Sequence, residues 1–522
     1  MMTELDQIFP ATLERLAGVD LETLNRQIHR PEDLPGLLRG SAKSACAEVP
    51  YLAELASLEL ALHRVRTGAQ DFSVEIVRTG VNPSLELLQV GWAPLLAVLA
   101  GEETQLQAVT QYLLLWRDPG SGRVRAEPAA PGDLLALKVV LEEHDPREIA
   151  ASQGQPVGQV DRVLERAVAK GLLLEPETKL RRNERDFPLA DTTPHQFIAA
   201  EAFTLQWHIT HRCDLHCRHC YDRSLQEDIA YQQGIAVLDQ LREFCLQHHV
   251  YGQVSFSGGN PFLHPRFYDL YRAAGERNLS QAVLGNPVSE SQLDALLKIN
   301  KPVFYQVSLE GLQAHNDHIR GAGNFSAVLD FLDLLKRRKI YSMVMLTLTQ
   351  DNMDQVLPLA EILRDRVDLF TYNRLSMVGE GAVLESPRAG DYQAFVKDYL
   401  RASQANPVIA LKDNLLNIER DRQGNGWFGG CTGFGCGAAF NFFSLLPNGE
   451  VHACRKFPSP IGTIHLNSLT EIYYSDRAAA YRKGSAACED CRLRPVCGGC
   501  LAVTYGCGLD PLREKDPACF MS

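Results

Sequence analysis

ITHRCDLHCRHCYDRS, residues 209–224, sets Cys213, Cys217 and Cys220 at the spacing CX3CX2C. A closed structural site for zinc or an iron-sulfur cluster takes four ligands, so three thiolates leave a metal position open for something else. His216 or His219 as a fourth ligand would instead make a zinc knuckle. Otherwise these histidines read as groups that hydrogen-bond around the metal, or as solvated loop residues.

Upstream of the cysteines lies FTLQWHIT, 203–210, an alternating strand-like run. Downstream follow QVSFSGG (253–259), QAVLGN (281–286), VFYQVSLEG (303–311), YSMVMLTLTQ (341–350) and DLFTYNRLS (368–376). Amphipathic stretches such as IAVLDQLREFCLQ (235–247) and FSAVLDFLDLLKRR (325–338) separate them. Six such units predict an α/β fold, a partial (β/α)6 barrel over 203–400 related to the TIM barrel, with its active site at the C-terminal strand ends. The cysteine loop follows the first strand, and the other motifs fall at strand ends too.

The three-cysteine spacing, with the aromatic Tyr221 directly after the third, resembles the radical S-adenosylmethionine (SAM) superfamily. That resemblance implies a 4Fe-4S cluster whose free iron chelates SAM, and an electron that cleaves SAM to methionine and a 5′-deoxyadenosyl radical. Ser257, Gly258, Gly259, Asn260 and Pro261 resemble the family's GGEP motif, which implies backbone contact with the methionyl amine of SAM. Asn260 stands where Glu is usual, so that contact loses a charge. Asn286 matches the third-strand motif, Ser308 in QVSLEG the fourth, and Arg320 in NDHIRG is implied as partner of the SAM carboxylate.

Fourteen cysteines are hard to explain as disulfides in a reducing compartment. Nine fall in 431–519, as Cys431-x4-Cys436-x12-Gly449-x4-Cys454, then Cys488-x2-Cys491-x5-Cys497-x2-Cys500, then Cys507 and Cys519. On spacing alone two zinc sites would also fit. The pattern closely resembles the SPASM domain, apart from a two-residue gap before Cys500. The resemblance implies two auxiliary 4Fe-4S clusters over 401–522, three clusters in all. Cys431, Cys436, Cys454 and Cys500 would hold one, and Cys488, Cys491, Cys497 and Cys519 the other. Cys507 reads either as a replacement ligand for Cys500 or Cys519, or as a packed thiol. Cys46 and Cys245 stand apart and read as small buried hydrophobes.

The N-terminal part differs in texture. Residues 1–105 read as helices, with YLAELASLELALHRV (51–65) and PSLELLQVGWAPLLAVLAG (83–101) as buried segments and no assigned role. QYLLLWRDPGSGRVRAEP, 111–128, predicts a hairpin turning at Asp118–Gly122. Helices over 131–140, 146–152 and 157–170 then complete a winged-helix pattern within 106–180, before a polar linker over 181–202. As a DNA reader this unit is a poor match, because 101–180 holds 13 acidic and 9 basic residues. Its order of elements resembles the element with which peptide-modifying enzymes capture a precursor's leader. A purely structural domain is the alternative.

The whole chain of 522 residues carries a net charge of -12, against broad nucleic-acid binding. MMTELDQIFP has no signal-peptide pattern, and nowhere do eighteen apolar residues run together. The expectation is a cytoplasmic protein with no membrane or nucleic-acid partner. SPASM-bearing relatives work mostly on peptides and proteins. Arg455 replaces the Asp that acts as base in sulfatase maturases, and a permanent cation cannot take a proton. CRKFPSPIG (454–462), GGCLAVTYG (498–506) and DPACF (516–520) resemble the geopeptide and selenobiotic type of peptide maturase. The implied function is modification of a ribosomal precursor peptide, foremost a Cys thioether crosslink, with a flavodoxin or ferredoxin as electron donor. Carbon-carbon crosslinking, epimerisation, or a non-catalytic leader-binding or redox scaffold are the alternatives.

Overall fold

The computed structural model describes residues 2–16, 27–40, 49–68, 76–183, 185, 187–189, 192–224 and 226–521, with side chains from Leu5 onward. Cys46 lies outside the described residues. The chain divides into two compact units, Met1–Glu177 and Thr178–Ser522.

The first unit opens with helices, of which Leu52–Thr67 is the longest and buries Leu52, Leu55, Ala56 and Leu58 at helical spacing. Strand β1 (Gly80–Val81) pairs antiparallel with β5 (Leu173–Leu174). Strands β2 (Glu86–Val90), β3 (Gln111–Arg117) and β4 (Val124–Pro128) form an antiparallel sheet in that order. The β3–β4 turn is closed by the Asp118 carboxylate, which accepts from the Ser121 amide at 2.8 Å. Helices Pro131–Leu141, Pro146–Ser152 and Val157–Lys170 follow, and Gly171 ends the last with φ +79°.

Two expectations change here. Residues 83–101 do not continue the helical part: β2 lies inside them, followed by the short helix Leu95–Leu99. Gly91 and Pro94 interrupt the apolar run, and pairing with β3 overrides helix propensity in Glu86–Val90. A boundary at 105 therefore cuts one sheet between β2 and β3.

In the second unit β6 (Ala202–Thr210), β7 (Tyr251–Gly258), β8 (Ser280–Leu284), β9 (Phe304–Ser308), β10 (Ser342–Leu348) and β11 (Leu369–Arg374) are all parallel neighbours. This is the TIM-like α/β sheet of the expected class. Phe203, Leu205, Trp207 and Ile209 of β6 are each 0–1% exposed, and helix Tyr231–His248 covers the sheet with Val237, Leu238, Leu241 and Phe244. Cys245 on that helix is buried, and its thiol sits where a Cβ on Gly252 would meet it at 3.1 Å.

The sheet then continues beyond the barrel strands. β12 (Phe442–Leu445) runs parallel to β6, and β13 (Glu450–His452) and β14 (Pro460–Thr463) extend it antiparallel. The helix Ala389–Ala405 runs across the expected boundary at 400. The expected linker is also packed: Arg182, 4% exposed, donates to the carbonyls of Arg482 at 2.8 Å and Cys436 at 2.8 Å. A buried guanidinium needs such acceptors, which tie this segment to the cysteine-rich part. Among the described residues no helix is long and apolar enough to cross a membrane.

Candidate active site

A cavity of about 730 Å³ opens at the C-terminal ends of the barrel strands. Its wall includes Cys213, Cys217, Cys220 and Tyr221 from the loop after β6, Ser257, Gly258 and Gly259 from β7, Asn286 after β8, Ser308 of β9 and Arg320. Arg455 and Lys456 reach it from the segment after β13.

Local chain geometry explains how the loop is seated. Gly258 has φ +123°, in the region that favours glycine, and a Cβ there would strike the Thr210 carbonyl. A Cβ on Gly259 would strike the Arg212 carbonyl. The Gly259 amide donates to Thr210 O at 2.9 Å and the Asn260 amide to Arg212 O at 2.8 Å. The paired glycines thus let β7 lie directly on the backbone of the cysteine loop. Pro261 starts the short turn Pro261–Leu263.

Asn260, 3% exposed, donates its side-chain amide to both carboxylate oxygens of Asp214 at 3.3 Å. Asn286 donates to Asp214 at 2.5 Å and stands 3.6 Å from Cys213 Sγ. Asp214 therefore supplies a carboxylate beside the position where the motif usually has Glu. Spacing alone did not single it out, although it lies between the first two cysteines.

Arg320 lines the same cavity and is paired within the chain. Its Nε and Nη2 donate to Glu310 Oε1 at 2.9 and 2.5 Å, and its Nη1 stands 3.8 Å from Cys217 Sγ. Glu310 also faces His219 Nε2 at 3.2 Å and accepts from the Thr347 amide at 2.8 Å. Burial opposes the charge on Glu310, but His219 and Arg320 outweigh it and hold the carboxyl far below the usual range. Glu310 is the unassigned member of QVSLEG.

Tyr221 places its hydroxyl 2.9 Å from a ring nitrogen of His208. Burial, reinforced by Arg455, pushes His208 well below the ordinary imidazole value, so the ring is neutral. Burial likewise raises the Tyr221 phenol. Ser308 lines the cavity half-buried.

The remaining cysteines gather into two groups. Cys436 and Cys454 each feel the charges of Cys431 and Cys500, and burial pushes their thiols up to about 12 and about 11. Cys488, Cys491, Cys497 and Cys519 line one hollow, with Cys488 pushed up to about 11 by burial. Cys507 feels Asp516 and Arg374 instead of another thiol. Lys456 joins cavity and thiols: its Nζ stands 3.7 Å from Cys500 Sγ and 3.3 Å from the Arg374 carbonyl. Arg374, 1% exposed at the end of β11, pairs with Asp413 at 2.8 Å and Asp516 at 2.6 Å. Asp516 in turn accepts from the Cys500 amide at 2.8 Å. Soft thiolate donors in threes and fours suit iron-sulfur clusters, and the three-thiol loop faces a cavity with room for a further ligand.

Residues 207–363 match the family model of the radical SAM superfamily, and residues 436–500 match the SPASM iron-sulfur cluster-binding domain. A pre-heme d1 synthase of Dinoroseobacter shibae is 30% identical over 364 residues, covering 60% of this chain and 85% of that protein. The chain belongs to the radical SAM superfamily. Among its relatives is the antilisterial bacteriocin subtilosin biosynthesis protein AlbA of Bacillus subtilis, 25% identical over 312 residues. That match covers 56% of this chain, which spans 65% of the length of AlbA, just under two thirds. The fold of this radical SAM enzyme is also that of SuiB of Streptococcus suis bound to its precursor peptide SuiA, with a TM-score of 0.52 at 15% identity over 78% of this chain and 96% of SuiB. The radical SAM domain implies SAM and a 4Fe-4S cluster, and the SPASM domain further iron-sulfur clusters.

Proposed function

We propose that this radical SAM enzyme modifies a ribosomally made precursor peptide, closing a Cys thioether crosslink. Cys213, Cys217 and Cys220 would hold the SAM-binding cluster. Cys431, Cys436, Cys454 and Cys500 would hold one auxiliary cluster, and Cys488, Cys491, Cys497 and Cys519 the other. The observation that carries the reading is Lys456, which lines the cavity and also lies beside Cys500, so that the reaction space adjoins an auxiliary thiol group.

When bound, the SAM-loaded cluster supplies one-electron cleavage of SAM and hydrogen abstraction from the substrate. The chain's own residues aim that chemistry. Gly258 and Gly259 seat the cysteine loop, Glu310 fixes Arg320 against Cys217, and Asp214, held by Asn260 and Asn286, would offer an anion to the cofactor's ammonium. Tyr221, Asn286 and Ser308 line the same cavity and would complete the cofactor wall, where neutral His208 adds no competing charge. Within Met1–Glu177, the hairpin with its three helices would capture the leader as a strand added at β4, an edge of the described sheet. The relation to a bacteriocin biosynthesis protein and the fold shared with SuiB support a peptide substrate. A flavodoxin or ferredoxin is the proposed electron donor.

The test is anaerobic reconstitution with iron and sulfide, followed by dithionite, SAM and the peptide of a short reading frame beside the gene. Formation of 5′-deoxyadenosine with loss of a hydrogen pair from a Cys-containing peptide is expected. An unchanged peptide mass with inverted stereocentres would favour epimerisation, and a crosslink that spares every Cys would favour carbon-carbon bonding. One observation favours a second reading: the 30% identical relative is named a pre-heme d1 synthase. Turnover of a tetrapyrrole with no change to any peptide would establish that reading instead.

A further inference from the structure

We propose that Arg455 anchors a carboxylate-binding subsite for the substrate, which rests on reading this cavity as the reaction space. Five arginines line the cavity, and four of them have a carboxylate within 4 Å. Arg212 has Asp228 at 3.6 Å, Arg223 has Glu380 at 3.7 Å, Arg320 has Glu310, and Arg374 has Asp413 and Asp516. Lys456, the remaining cation of the segment, is turned to the Cys500 Sγ at 3.7 Å and the Arg374 carbonyl at 3.3 Å.

Arg455 has no carboxylate partner among the described residues. Its Nη1 donates to Ser257 Oγ at 3.4 Å, and its guanidinium carbon lies 6.0 Å from the centre of the Tyr221 ring. A hydroxyl and a ring face orient a guanidinium without neutralising it. A guanidinium does not shed its proton, and its planar fork matches a carboxylate through paired donors. A half-buried cation that keeps most of those donors free is therefore a receptor for an anion.

Position selects the source of that anion. Arg455 directly follows Cys454 of one auxiliary thiol group and lies over Tyr221 of the three-thiol loop. A substrate that reacts between those two groups passes this guanidinium. The substrate class is thus a molecule with a free carboxylate near its reacting carbon, such as a peptide C-terminus or an acidic side chain. The carboxylate of SAM shares this chemistry and is the competing occupant.

The test uses the reconstituted full-length protein with SAM bound, and compares 3-phenylpropionate with 3-phenylpropionamide by calorimetry. The acid is expected to bind about tenfold tighter than the amide, a preference lost in Arg455→Met and partly kept in Arg455→Lys. Equal binding of acid and amide, or a preference that survives in Arg455→Met, overturns the proposal. So does a tenfold weaker SAM affinity in Arg455→Met, which would assign the guanidinium to the cofactor. Iron content is measured on every sample, so that loss of the neighbouring cluster is seen directly. Failure of the peptide assay would sink the maturase reading while leaving the acid-over-amide result to decide Arg455.

Discussion

At Asn260 a neutral amide meets the Asp214 carboxylate at 3.3 Å to each oxygen. The departure from the usual Glu therefore has a local physical reason, since a second carboxylate there would face the first. Asn260→Glu is expected to destabilise the protein by about 1 kcal/mol through this like-charge contact, of which only the Asn260 side is buried. Adding Asp214→Asn should recover most of that loss, which a double-mutant cycle by denaturant unfolding measures. Independent, additive effects of the two substitutions would refute the pairing. Motif spacing singled out Asn260, Asn286 and Arg320, and the structure brings all three to the C-terminal end of the sheet. Their hydrogen-bond partners, Asp214 and Glu310, were not, because spacing shows which side chains share a strand end and not which of them touch.

Strand ends are where the chemistry-bearing residues collect, and the strand pattern was readable because both faces of this parallel sheet are covered. Apolar runs bounded by turn residues then identify each strand without homologous context. Gly259 shows what an element end demands. Its replacement by Ala drives a methyl into the Arg212 carbonyl and displaces the cysteine loop. Gly259→Ala is expected to cut SAM cleavage on the order of 10²-fold, the usual result of an ångström-scale misplacement of reacting groups. Far-UV circular dichroism should stay unchanged while iron content falls by up to one cluster. Full cluster loading with native cleavage would contradict the account. The element misread from sequence was Glu86–Val90, where an apolar run is equally consistent with a buried helix and only pairing with Gln111–Arg117 settles it.

For the Thr178–Ser522 unit as a whole, buried titratable groups set how stability follows pH. His208 has a folded pKa below its unfolded value of about 6.5, so on acidification the unfolded chain takes up a proton that the folded one refuses. Stability should therefore fall below about pH 6.5, at up to ~1.4 kcal/mol per pH unit for this one group. His248 and His264, also lowered chiefly by burial, act with the same sign. Glu310 and Asp516 are depressed, so the stability they contribute is complete above the ordinary carboxylate range near pH ~4 and is lost as pH falls further. Denaturant midpoints should decline in two stages, and His208→Phe should soften only the first. A midpoint that stays constant between about pH 7.5 and 5.5 would exclude this reading.

Sequence alone determined that the chain has a six-strand α/β core, a three-cysteine loop after the first strand and a cysteine-rich C-terminal part. Those features are written in local spacing and periodicity, which need no partner to be read. Tertiary structure alone decided that β12–β14 extend the barrel sheet, and that Arg182 ties the supposed linker to the cysteine-rich part. It also decided that Lys456 sits beside Cys500 and that, among the described residues, Arg455 lacks an acid where four other cavity arginines have one. Each of these depends on residues tens to hundreds of positions apart, and charge compensation across such distances is a property of the packed molecule.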